Sequence, residues 1–159
     1  MKLEVPQSLR SEHEELHAEL KKAASEAGEV GKAAQAVDRA LRPHFIKEEE
    51  YALPPLGLLS SLAEGSVAGD TEAALEMAGR LKRDLGQMLE EHRTIVARLE
   101  GLTEASRKRN KLEYVAFAEK LVLHARMEEE VLYPAAILVG EYLRTKRRSG
   151  SRGLVRATG

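Results

Sequence analysis

The sequence predicts an all-α protein, an antiparallel up-down-up-down four-helix bundle built from two helical hairpins. Three observations predict it. Ala, Leu, Glu, Lys and Arg dominate the 159 residues, against 12 Gly, 5 Pro and 4% aromatic residues, a composition rich in helix formers. Four long stretches keep apolar residues at the 3.6-residue helical period. The chain also repeats itself at about 80 residues, so each half reads as one hairpin.

The first helix is expected to begin near Ser8, with Ser11 as an inner cap, and to run through Leu16, Leu20 and Ala23 until Gly28 and Gly31 end it. The second runs from about Lys32 through Val37, Leu41 and Phe45 to Leu53; Pro43 should kink it, and Pro54-Pro55 stops it. Residues 56–69 form a connector. Asp70 or Thr71 caps the third helix, which carries Leu75, Leu81, Leu85, Met88, Ile95 and Leu99 and should end near Gly101. The fourth runs from about Arg109 through Leu112, Phe117 and Leu121 to Pro134, with a helical extension over 135–144.

Charge divides the chain. The net charge of −1 hides six basic residues from Arg144 onward, with no acidic residue after Glu141, which leaves residues 1–143 at −7. The bundle is therefore assigned to 1–143, and residues 144–159 to a basic, disordered tail. An acidic body does not favour nucleic acid. The absence of Cys excludes a disulfide scaffold, thiolate zinc, iron–sulfur clusters and a cysteine nucleophile. No run of 18 apolar residues occurs and the N-terminal segment is charged, so no membrane span or secretory signal is expected, and the expected location is cytoplasmic.

The histidines carry the chemical signal. Both halves read Glu-His, then about thirty residues, then His-x3-Glu-Glu-Glu with Pro ten residues after that second His: Glu12-His13 with His44 to Glu50 and Pro54, and Glu91-His92 with His124 to Glu130 and Pro134. His44 and Glu48 share one helical face, as do His124 and Glu128. Leu41 and Ile46 around the first pair, and Leu121 and Met127 around the second, mark that face as buried. Burying uncompensated carboxylates costs several kcal/mol, roughly. A pair of cations removes that cost by neutralising the carboxylates and using the imidazole lone pairs.

Four or five imidazoles and two carboxylates suit two six-coordinate iron ions bridged by the carboxylates, with room for a bridging oxo or hydroxo group and an exogenous ligand. Structural zinc needs neither bridges nor so many ligands, and ferritin-like sites use Glu-x-x-His rather than His-x3-Glu. Glu49, Glu50, Glu129 and Glu130 are expected to turn away as solvated charge. So are Glu12 and Glu91, whose other role would be to orient an imidazole.

At these residues, over about 8–140, the chain resembles the hemerythrin-like (hemerythrin HHE cation-binding) family. The resemblance implies a four-helix bundle with a non-heme di-iron centre that binds or processes dioxygen, nitric oxide or peroxide. By position it implies His13, His44, His92 and His124 as terminal ligands and Glu48 and Glu128 as bridges, with each hairpin holding one iron. The alternative function is an iron-storage or iron-centre-repair module without oxidant turnover.

Two positions depart from the oxygen carriers. The second histidine of their third helix is Val96 here, while His17 stands four residues after His13. Tyr51 stands three residues after Glu48, where the second half has Val131. His17 and Tyr51 are thus additional candidates, as ligands or as outer groups, with Tyr51 expected to touch the site.

Overall fold

The computed structural model describes residues 3–67 and 69–155, and its elements are helical throughout. They are α1 (Gln7–Ala24), α2 (Gly28–Lys47), α3 (Leu59–Ala63), α4 (Thr71–Lys108), α5 (Leu112–Met127) and α6 (Tyr133–Val155). A π-helical turn, Glu48–Ala52, extends α2, and a second, Glu128–Leu132, joins α5 to α6. A 3₁₀ turn, Pro54–Leu58, leads into α3. No strand occurs among the described residues.

The glycines act differently from the sequence expectation. Gly28 takes φ +74° and opens α2 rather than ending α1, which stops at Ala24. Gly31 lies within α2, where an added Cβ would overlap the Glu26 carbonyl oxygen. That overlap fixes glycine at the α1–α2 corner. Gly101 does not end α4, which continues to Lys108 because Leu102, Ala105 and Ser106 beyond it are buried. Their burial outweighs the roughly 1 kcal/mol a helical glycine costs. Asp70 caps α4 by accepting the Ala73 N–H at 3.0 Å. Pro43 sits on the exposed face of α2, which runs through it to Lys47.

The tail departs from the disordered segment expected from residue 144. Helix α6 continues through residues 144–155. Arg144 pairs with Glu141 at 2.7 Å, and Arg147 reaches Glu72 near the start of α4. Arg144 finds its acidic partner one helical turn back, and Arg147 finds one that is distant in sequence. Residues 156–159 lie outside the described residues.

Two apolar layers enclose a polar one. Leu16, Leu41, Phe45, Ile95, Leu99 and Leu121 belong to one buried cluster. Tyr51, Leu53, Leu81, Met88 and Tyr133 belong to another, with Leu9 packed against it. Helix α1 reaches Leu9 before Leu16, α2 passes from Phe45 to Tyr51, α4 from Met88 to Ile95, and α5 runs from Leu121 toward Tyr133. Between these layers each arm places its histidine. The packing partners are α1 with α2 and α5, α2 with α4, and α4 with α5 and α6.

Candidate metal centre

His13, His44, His92 and His124 are buried, as are Glu48 and Glu128. Each glutamate is the first residue of a π-helical turn, and its carbonyl accepts the N–H five residues on: Leu53 for Glu48, Tyr133 for Glu128. Proline follows at 54 and 134 with no N–H to offer. The ladder therefore shifts register beside both carboxylates, a feature that recurs at functional sites.

The six side chains form two overlapping groups. His13, Glu48, His124 and Glu128 can offer ligand atoms within 4.8 Å of one another, and so can His44, Glu48, His92 and Glu128. Both groups share the two glutamates. His44 Nε2 lies 3.1 Å from Glu48 Oε1, His92 Nε2 3.2 Å from Glu128 Oε2, and His124 Nε2 2.8 Å from Glu128 Oε1. His13 and His124 bring their Nε2 atoms to 3.2 Å.

Outer carboxylates lie against the other imidazole nitrogens, within 3.1 Å for three of the four, while Nδ1 of His13 is left without a hydrogen-bond partner. Nδ1 of His44 is 2.8 Å from Glu91, that of His92 2.9 Å from Glu129, that of His124 3.1 Å from Glu12, and that of His13 3.6 Å from Glu49. Glu91 is itself anchored by Lys47. This corrects the expectation that Glu12, Glu91 and Glu129 are merely solvated charge, whereas Glu49 is 53% exposed and makes no hydrogen bond to His13. Each of the three lies next in sequence to an inner residue but serves a histidine on another helix. A carboxylate on Nδ1 fixes the tautomer and aims the Nε2 lone pair inward.

These residues fit a cation pair. Glu48 Oε2 is buried without a hydrogen-bond donor, and Glu128 Oε1 meets only the imidazole nitrogens of His124 and His13, an arrangement costly for a carboxylate unless a cation sits against it. Burial works to raise Glu128, but the imidazoles of His124, His13 and His92 outweigh it and hold the carboxyl well below the usual range. Glu48 is pushed up, by burial and by Glu128 beside it.

Burial opposes protonation of His44 and His124, yet their carboxylate partners prevail. Glu48 and Glu91 bring His44 to about 8, and Glu128 and Glu12 bring His124 to about 9. Both values lie above the ordinary 6.5, so the stability these groups give the metal-stripped protein is full below pH about 6.5 and is lost as pH rises through 8 and 9. Metal must displace the same protons. Its apparent affinity should rise between pH 6.5 and 9, by up to about tenfold per pH unit for each charged imidazole. Cobalt(II) titrations across this range check the slope, and a flat profile would contradict it.

The remaining sequence candidates lie elsewhere. Tyr51 is buried, but its hydroxyl donates to Met88 Sδ at 3.7 Å and Arg80 lies 4.0 Å over its ring. Burial and Asp84 raise its hydroxyl to about 12. This corrects the expectation that Tyr51 touches the site: the register shift of the π turn carries it into the apolar layer. His17 is half-buried and stands edge-on to Phe45, with ring centroids 4.9 Å apart. Phe45 in turn stacks on His13 at 4.2 Å, so a ring separates His17 from the ligand groups. Ile46 and Met127 also turn outward, being 51% and 43% exposed.

Tyr133, which the sequence reading passed over, reaches the centre. Its hydroxyl donates to Glu48 Oε1 and lies 3.3 Å from Nε2 of both His44 and His92. Burial, then Glu48 and Glu128, push this phenol far above its ordinary value. Its signal in the sequence was its place directly before Pro134, where the first half has Leu53 before Pro54. The grouping also corrects the expectation of one metal per hairpin. Each ligand group takes one histidine from each half, α1 with α5 and α2 with α4. The reason is packing: these helices face each other across the bundle.

The model of the hemerythrin HHE cation-binding domain matches residues 5–136. No curated protein and no solved structure matches the chain. With four buried histidines and two shared glutamates in a helical bundle, and with that match over most of its length, the chain belongs to the hemerythrin HHE cation-binding family.

Proposed function

We propose that the protein is a non-heme di-iron protein that binds or processes small oxidants: dioxygen, nitric oxide or peroxide. One observation carries this reading: two ligand groups share Glu48 and Glu128, so two cations can sit side by side and be bridged by both carboxylates. His13 and His124 would hold one iron, His44 and His92 the other. Iron so held supplies a redox-active centre with affinity for small diatomic and peroxide ligands.

The chain's own residues do the rest. Glu12, Glu91 and Glu129 orient the imidazoles of His124, His44 and His92, and the apolar layers above and below keep bulk water out. The same reading includes an alternating up-and-down course for the four site-bearing helices. It is supported by the order in which each arm meets the two apolar layers and by the short connections at 25–27 and 109–111. Small ligands, rather than nucleic acid or membrane, are the partners it implies. The acidic body disfavours nucleic acid, and no described helix is long and apolar enough to cross a membrane.

The test is metal analysis of the purified, iron-loaded protein with visible spectra before and after dioxygen, nitric oxide and peroxide. The expected result is two irons per chain and a spectral response to at least one of the three. Two irons with no response would point to storage instead. A single zinc that iron cannot replace would end the iron reading.

A further inference from the structure

The ligand set of the centre is symmetric between the two halves, but the buried residues around it are not: Phe45 matches Ala125, and Tyr133 matches Leu53. His13 and His92, His44 and His124, and Glu48 and Glu128 correspond through the repeat. The outer carboxylates correspond as well, Glu12 with Glu91 and Glu49 with Glu129. By the same correspondence Tyr133 matches Leu53: each stands nine residues after its histidine, precedes a proline, and donates its N–H to the carbonyl of its central glutamate. Both side chains are fully buried. One ends in an oxygen and the other in carbon.

That oxygen is aimed at one ligand group. The Tyr133 hydroxyl touches Glu48, His44 and His92, three of the four members of the α2–α4 group. Its ring stacks on His92 with centroids 5.6 Å apart and planes 18° from parallel, which fixes its direction. It makes no hydrogen bond to His13 or His124. A phenol oxygen within 3.3 Å of two inward-facing imidazole nitrogens occupies the place of a ligand atom.

The geometry points to Tyr133 as a metal ligand of the His44/His92 site, which makes the two metal positions inequivalent and leaves the His13/His124 site as the one that accepts an exogenous ligand. This inference rests on the di-iron reading above. Coordination forms one oxygen–iron bond and breaks the phenol O–H bond, with the proton released to solvent. The His44/His92 site then has five protein donors: two imidazoles, two shared carboxylates and the phenolate. The His13/His124 site has four, because Leu53 supplies none. A small anion or diatomic meets the emptier coordination sphere there, under Phe45, which stacks on His13.

The experiment loads wild type, Tyr133→Phe and Tyr51→Phe with ferric iron, counts the metal, records visible spectra and titrates each with azide. Bound phenolate gives ferric iron a strong visible charge-transfer band. That band is expected in wild type and Tyr51→Phe and is absent from Tyr133→Phe at the same iron content. Azide should bind once per iron pair in wild type and twice in Tyr133→Phe, where the second coordination position is opened. Wild-type protein holding two ferric irons without the band overturns the assignment and needs no variant to fold. So does a band that survives Tyr133→Phe, or an azide count unchanged by it. Fewer than two irons in wild type brings down the di-iron reading instead, and this proposal with it.

Discussion

Glu48→Ala and Glu128→Ala should each abolish retention of both metal ions, whereas His13→Ala should weaken one site and His17→Ala neither. Each glutamate belongs to both ligand groups, while each histidine belongs to one. With two cations bound, as proposed, removing a shared carboxylate would take a ligand and a negative charge from both. The loss should exceed the roughly 10–100-fold in affinity typical of an outer partner, which is the range expected for Glu12→Ala or Glu91→Ala. Metal content after dialysis, measured across these six variants and wild type, checks the ranking. Glu48→Gln keeps the side-chain volume and so separates metal loss from a packing defect. Retention of one ion in Glu128→Ala would show that the carboxylate serves a single site.

Stripping the metal should lower the melting temperature sharply. The polar layer places two carboxylates and four imidazoles between two apolar clusters, all six side chains being buried. Without cations, Glu48 Oε2 lacks a donor, and the two glutamates oppose each other. A ligand that binds only the folded state, present at about a thousand times its Kd, stabilises by roughly 4 kcal/mol. For a chain of this size each kcal/mol moves Tm by roughly 2–4 °C. A separation of about 10 °C between stripped and loaded protein is therefore expected in matched thermal melts. Coincident melts would mean that the six groups are solvated and the cation site lies elsewhere. The gap should widen from pH 6.5 to 9, because His44 and His124 lose their protons over that range. That loss weakens the stripped form and frees ligands in the loaded one.

The six inner side chains were legible in the sequence because helical spacing is a local rule. Four residues from His44 to Glu48, and four from His124 to Glu128, place each pair on one face without knowledge of the partner helix. The outer carboxylates were not legible, because each acts across a helix boundary. Glu91 was read beside His92, its sequence neighbour, but serves His44; Glu12 stands beside His13 but serves His124. Neighbours in sequence on a helix point about 100° apart and so meet different partners. The π turns misled the reading of Tyr51 for a related reason. One extra residue in the turn rotates everything after it, so periodicity counted from Glu48 sent Tyr51 to the site and overlooked Tyr133.

The sequence by itself determined the helical class, the repeat, the placing of one repeat-matched histidine on each of four helices and the two His-x3-Glu pairs, all of which depend on spacing within a single segment. Only the tertiary structure decided which histidines share a ligand group, which carboxylates hold them, and that a tyrosine of the second half reaches the centre while a leucine of the first half takes the equivalent place. Those outcomes depend on which helices face one another and on the register at which each crosses the polar layer. Both are set by the packing of Leu16, Phe45, Ile95 and Leu121 on one side and of Leu53, Met88 and Tyr133 on the other, and side-chain packing between distant segments leaves no periodic trace in the chain.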